Sequence, residues 1–269
     1  MRRLPLLAYI LIVATSFTGS LTAGLGEGLD LGSSWPGAPA ALLAQLAGGS
    51  VEPLHRILTV LAGVAVLAAF LANLRRNAPA SAGMLASLIA TALTGRLILL
   101  ALAGQLSPPF DLLVYPANNL LALSSASFAL ALAVDSEIPW RRPVLLRGAA
   151  FWAATASALG AFLLGFQKVE RVDVLSGPPV LRAALGLHIA AALLAIALAM
   201  SAYKHRAGNG ALQKAVLWAA AAQALIGPVV LIGDLSSYWS PGFPVALHTA
   251  AAHLLASTCI VAYVRSRRA

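Results

Sequence analysis

The sequence predicts an all-α polytopic membrane protein, with eight transmembrane helices set out as two pseudo-repeated four-helix bundles. Three observations carry that expectation. Hydrophobic residues make up 60% of the 269 and charged residues only 10%, whereas about a quarter of a soluble domain is charged. Apolar runs long enough to cross ~30 Å of hydrocarbon as helices recur along the whole chain. Basic residues collect at alternate junctions between those runs.

The runs fall near residues 4–25, 52–74, 82–104, 112–134, 145–166, 181–203, 212–233 and 243–264. The first follows Arg2-Arg3 and is too long for a signal-peptide core. Leu21-Thr22-Ala23 is also a poor cleavage site, so it is expected to stay as an uncleaved span. The second opens on Glu52-Pro53, where proline is preorganised for a first helical turn and an acid favours the positive end of the dipole. Arg96 interrupts the third run, and Asn118 and Asn119 the fourth. The eighth holds Cys259, the single cysteine, which excludes an intrachain disulfide and a thiolate metal cluster. Eight spans leave no room for a separate soluble domain.

A net charge of +9 would suggest nucleic acid in a soluble protein, but its distribution here reports orientation. Arg2 and Arg3, Arg75 and Arg76, Arg141, Arg142 and Arg147, Lys204, Arg206 and Lys214, and Arg265, Arg267 and Arg268 fall at alternate ends. The opposite loops hold Lys168, Arg171 and Arg182, partly offset by Glu170 and Asp173. The positive-inside rule then puts both termini in the cytoplasm. Every even-numbered span would start at the outer face, and no nucleic acid is expected as a partner.

On that topology each even span carries a polar group in its outer half. From the expected starts, His55 lies ~6 Å in, His248 ~8–9 Å, Asn118 ~9–10 Å and His188 ~11 Å. Ionisable groups inside a bilayer are costly and usually functional. Imidazoles at matching depth on separate helices suit a heme held between them. An offset of about 130 residues pairs His55 with His188 and Asn118 with His248. It divides the chain into a bundle over residues 1–136 and a second over 137–269. Gly19-Ser-Leu-Thr-Ala-Gly24 also has a loose counterpart in Gly160-Ala-Phe-Leu-Leu-Gly165. His253, five residues past His248, points about 140° away from it and is expected to pack between helices. His205, between Lys204 and Arg206, is expected in a solvated loop. Glu52 and His55 share a helix face, and Arg56 adds a cation suited to a heme propionate or to Glu52 itself.

These residues resemble the heme A synthase family, eight-helix enzymes that oxidise heme O. Glu52-x-x-His55-Arg56 is similar to the family's Glu-x-x-His-Arg signature. The stretch from Gly24 through Gly32 to Trp35-Pro36 resembles its glycine-rich outer loop. Gln223-Ala-Leu-Ile-Gly227, followed by Pro244-Val-Ala-Leu-His248, resembles its passage into the last span. Three features differ: Asn118 stands near the family's histidine on the fourth span, Ile189 follows His188 where arginine is common, and the paired loop cysteines of some members are absent.

The resemblance implies an oxidoreductase that converts the methyl group of heme O to the formyl group of heme A. His188 and His248 would ligate a heme b iron in the C-terminal bundle. His55 would ligate heme O in the N-terminal bundle, with Glu52 as the catalytic carboxylate and Arg56 and Asn118 as further cofactor contacts. Arg96, Lys168 and Arg171 would be further propionate contacts. It also implies an electron donor, heme O synthase or terminal oxidase subunits as neighbours, a homo-oligomer, and the plasma membrane of a prokaryote with the heme sites toward the outer face. Two other readings stay open. One is a heme b membrane cytochrome that only relays electrons; the other is a transporter with a duplicated fold.

Overall fold

The computed structural model describes residues 2–32, 37–134, 138–236 and 242–268. The long helices are α1 (Arg3–Leu25), α3 (Glu52–Asn73), α4 (Ala78–Leu102), α5 (Phe110–Ala133), α6 (Pro143–Glu170), α7 (Pro179–Lys204), α8 (Ala211–Ser236) and α9 (Gly242–Val264). Among the described residues these are the 8 helices long and apolar enough to cross a membrane, and the chain is an integral membrane protein. Arg96, Asn118 and Asn119 do not break their helices, nor do Pro116 in α5 and Pro228 in α8. In a bundle, neighbouring helices re-satisfy the backbone groups a proline frees.

Side-chain size sorts outside from inside. Large apolar residues face outward, as with Leu225 at 73% exposure and Leu93 at 65%, while Ala8, Ala69, Ala126, Ala129, Ala199 and Ala256 are fully buried. Lipid tails are as apolar as leucine, so close approach at small residues such as these, around a few large buried side chains, holds the helices together.

α1 packs on α3 and α5, and α4 on the same two helices, so these four form a ring. α6 packs on α7 and α9, and α8 on the same two, forming another. The rings meet where α1 lies on α9 and where α5 lies on α6 and α9. One core gathers Tyr9, Ile12, Val66, Met84 and Leu132; another gathers Trp140, Leu146, Val216, Leu255 and Cys259.

Two local features go beyond the sequence expectation. The short helix α2 (Pro39–Ala47) lies in the first connection and packs on α3. Proline at its start and a run of alanine and leucine account for it. At the end carrying both termini, β1 (Ile138–Trp140) and β2 (Ser266–Arg268) pair in parallel, and Arg2 N–H donates to Ala133 O at 2.9 Å. Trp35-Pro36, the 136/137 boundary and residues 237–241 lie outside the described residues.

Candidate functional site

α7 and α9 occupy opposite corners of their ring, with α6 and α8 between them. His188 on α7 and His248 on α9 nevertheless meet across its middle. Their ring centroids are 5.9 Å apart and their planes 67° from parallel. His188 Nδ1–H donates to the Ala156 carbonyl at 2.8 Å. That bond fixes the tautomer and leaves the lone pair on Nε2, the arrangement typical of an imidazole prepared for a metal. His248 is held from behind, because Gln223 Nε2 donates to its carbonyl oxygen at 2.7 Å. Its Nδ1 is buried and has no partner among the described residues.

Both rings are seated by glycine. A Cβ at Gly160 on α6 would lie 3.1 Å from His188 Cε1, and one at Gly227 on α8 would lie 3.6 Å from His248 Cε1. A side chain at Gly160 would crowd His188, whereas a Cβ at Gly227 would stand in ordinary contact with His248.

The first ring repeats the seating with different occupants. A Cβ at Gly19 on α1 would come within 2.9 Å of His55 Cε1 on α3. Thr18 Oγ1, 3.1 Å from Ala14 O, lies 3.3 Å from His55 Nδ1. On α5, Asn118 faces Gly95 of α4, where a Cβ would lie 3.7 Å from Nδ2. The Asn118 amide donates to Thr91 O at 2.7 Å and to Thr94 Oγ1 at 2.9 Å. Each even span thus sets its polar group against a glycine of the span before it. From the observed helix starts the four groups spread from ~5 Å to ~14 Å, wider than expected. For His188 and His248 the agreement lies in the ring contact itself.

The Glu52 carboxylate is buried and fully engaged. Oε1 accepts from Arg56 Nε at 3.0 Å and Nη2 at 2.5 Å, while Oε2 accepts Leu31 N–H at 3.0 Å. Arg56 Nη2 also donates to Gly32 O at 2.8 Å. In return Glu27 accepts Val51 N–H at 2.6 Å. The loop after α1 and the start of α3 are therefore cross-braced by a buried ion pair. Gly26 and Gly32 take positive φ values of 79° and 64°, which let the loop bend over it. His55 turns instead to α1, where it meets Thr18, and the Glu52 carboxylate turns to Arg56 and Leu31. Of the other cations, Lys168 Nζ donates to Gly24 O at 3.0 Å, and Arg171 caps α6 with φ 54°.

A second polar line runs between the rings. His253 Nε2–H donates to Asn119 Oδ1 at 2.8 Å, and Asn119 Nδ2 donates to Ser157 O and Oγ at 3.1 and 2.7 Å. Ser257 Oγ continues it, 2.9 Å from Tyr9 Oη. Sequence reasoning missed Gln223, Thr91 and Thr94 as supports. Gln223 sits four residues before Gly227, so one face of α8 supplies both contacts to His248. Among the described residues no group of three or more His, Cys, Asp or Glu could hold a metal ion; the chemistry available is two facing imidazoles and a third alone. No family model matches the chain, and no curated protein matches it.

Proposed function

We propose that the chain is a heme-binding membrane oxidoreductase of the heme A synthase kind. Its C-terminal ring would hold a heme b for electron transfer and its N-terminal ring would bind heme O as substrate. The observation that carries the reading is the His188–His248 pair. Two imidazoles on opposite sides of one iron, with metal–nitrogen bonds of about 2.0–2.1 Å, have ring centroids ~6 Å apart; these stand at 5.9 Å. The Ala156 bond to His188 and the unpartnered Nδ1 of His248 suit ligation further. Helices at opposite corners of a four-helix ring give a planar group a ligand on each face.

Bound there, heme b supplies reversible one-electron chemistry. His188 and His248 orient it, while Gly160 and Gly227 leave the rings their room. In the N-terminal ring His55 offers one imidazole, which would be the residue that holds the iron of heme O there. Glu52 and Arg56 hold the loop over that end and present a neutralised pair rather than a bare charge. The duplicated arrangement, two four-helix rings from one ancestral unit, is part of the proposal. Its support is the glycine-to-polar seating repeated in all four helix pairs, with Gly19 and Gly160 at one offset and Gly95 and Gly227 at another.

The test is cofactor content. Purified protein should contain heme b by pyridine hemochrome and show it low-spin in its native absorption spectrum, and membranes supplied with heme O should yield heme A. Heme b without conversion would favour the plain electron-transfer cytochrome. That second reading has its own support: the Asn118 amide is committed to α4, and the Glu52 carboxylate to Arg56 and Leu31. Absence of heme would sink both. Orientation is tested separately. Cysteine at Ser176, in the α6–α7 connection, should react with an impermeant thiol reagent in intact cells, and cysteine at Asn209 should not; the reverse would invert the sidedness.

A further inference from the structure

At the end that carries both termini, an open crevice of about 450 Å³ cuts into the outer surface of the bundle where the two helix rings adjoin. α5 forms its floor from Leu120 to Ala131, α9 and Ala154 of α6 form one wall, and the start of α4 closes the other. We propose that this crevice binds one anionic phospholipid, with an acyl chain along α5 and the phosphate on Arg265.

Length is the first argument. Leu120 to Ala131 spans ~16 Å of helix, about half of a ~30 Å hydrocarbon core. The crevice therefore runs from the membrane middle to one surface, the extent of a single leaflet. Its chemistry is the second. Leu120, Phe128, Ile260 and Val264 line it with hydrocarbon. Its two hydroxyls are turned inward: Ser124 Oγ and Ser127 Oγ each donate to their own helix, to Leu120 O and Leu123 O at 2.8 Å. A ligand with carbonyls at mid-depth, such as a quinone ring, finds no donor there, whereas an acyl chain needs none.

The donors lie at the surface end. Arg265 Nη2 is anchored on Ala131 O at 2.8 Å, and its Nε–H is buried with no partner among the described residues. Asn77 Oδ1 accepts Ala80 N–H at 3.3 Å, which leaves its Nδ2 as a donor. A guanidinium and an amide at the interfacial end of an apolar, leaflet-long crevice match a phosphodiester carrying net negative charge. The lipid would touch both rings at once, filling the seam between α5 and α9.

The full-length protein, purified in mild detergent and exchanged with dioleoylphosphatidylglycerol or dioleoylphosphatidylcholine, tests this by native mass spectrometry. The wild type should retain one phosphatidylglycerol, preferred over phosphatidylcholine by roughly fivefold. Arg265→Gln should remove that preference while still retaining lipid of either kind. Ala154→Phe should fill the crevice and release both lipids, and Ser124→Phe on its floor does the same job if Ala154→Phe fails to fold. Equal retention of the two lipids by the wild type, an undiminished preference in Arg265→Gln, or unchanged retention in the blocking variants would overturn the proposal.

Discussion

Around His188 and His248 the chain brings two imidazoles together, their planes steeply inclined, across a ring of helices. Around His55 it supplies one imidazole, and the group at the matching position, Asn118, gives its donors to α4. The scaffolding differs much less than the occupants: a glycine backs the polar group in every pair, at Gly19, Gly95, Gly160 and Gly227. A hydrogen-bonding residue stands near one glycine of each ring as well, Thr18 beside Gly19 and Gln223 four residues before Gly227. The lesson is that in a bundle the room for a side chain and the chemistry of that side chain are separable. Glycines fix where a polar group can stand, and the residue standing there sets what the site does.

The sharpest way to break the comparison is to remove the imidazoles. His188→Ala or His248→Ala should abolish the low-spin heme spectrum of the purified protein, whereas His55→Ala should leave it intact and stop conversion of heme O. Loss of the low-spin signal in His55→Ala, with retention in the other two, would reverse the roles of the rings.

Next in size is the buried Glu52–Arg56 ion pair of the first ring. Glu52→Ala leaves Arg56 buried without its carboxylate, a loss of about 3–5 kcal/mol, and thermal unfolding in detergent should register it. Glu52→Gln keeps the volume and the Leu31 contact; it should stop conversion while heme b persists. Unaltered conversion in Glu52→Gln would make the residue a loop brace and nothing more.

Gly160→Val should displace His188 at a cost of about 1–3 kcal/mol by overpacking, with a shifted heme b spectrum. Gly19→Val should leave that spectrum alone. Equal spectral effects would show that the two seats are not independent. Asn118→His is the mildest. It gives up two hydrogen bonds to α4, each worth about 0.6–2 kcal/mol in a membrane, and should add a second low-spin signal by supplying the missing imidazole. Unchanged spectra would place that position outside the substrate pocket.

Much of the fold was legible because hydrophobic runs report spans directly, and the observed helix ends lie within about four residues of those expected. β1 and β2 were not legible, since three-residue strands at helix ends leave no periodic signal. α2 was equally hidden inside a connection read only as a loop. The meeting of His188 and His248 was expected from their similar depth on two even spans, whereas the fate of Glu52 was not. Its partners Leu31 and Gly32 bond through backbone groups that every residue carries, so nothing in the letters marks them. Gln223 stood inside a motif already singled out, yet its bond to the His248 carbonyl depends on the rotation of α8. His253 was expected to pack between helices and does, against Asn119.

Asn118 and Asn119 are neighbours in sequence, yet one amide is held by α4 and the other by α6 and α9. Consecutive residues on a helix point ~100° apart, so only one rotation of α5 about its long axis lets both amides find their partners. Hydropathy is indifferent to that angle: α5 can enter the bilayer at any azimuth and remain soluble in lipid. Two adjacent asparagines act as the keyed pins of a connector. Because hydrocarbon offers no water to a misaligned amide, insertion comes with many orientations and docking with one.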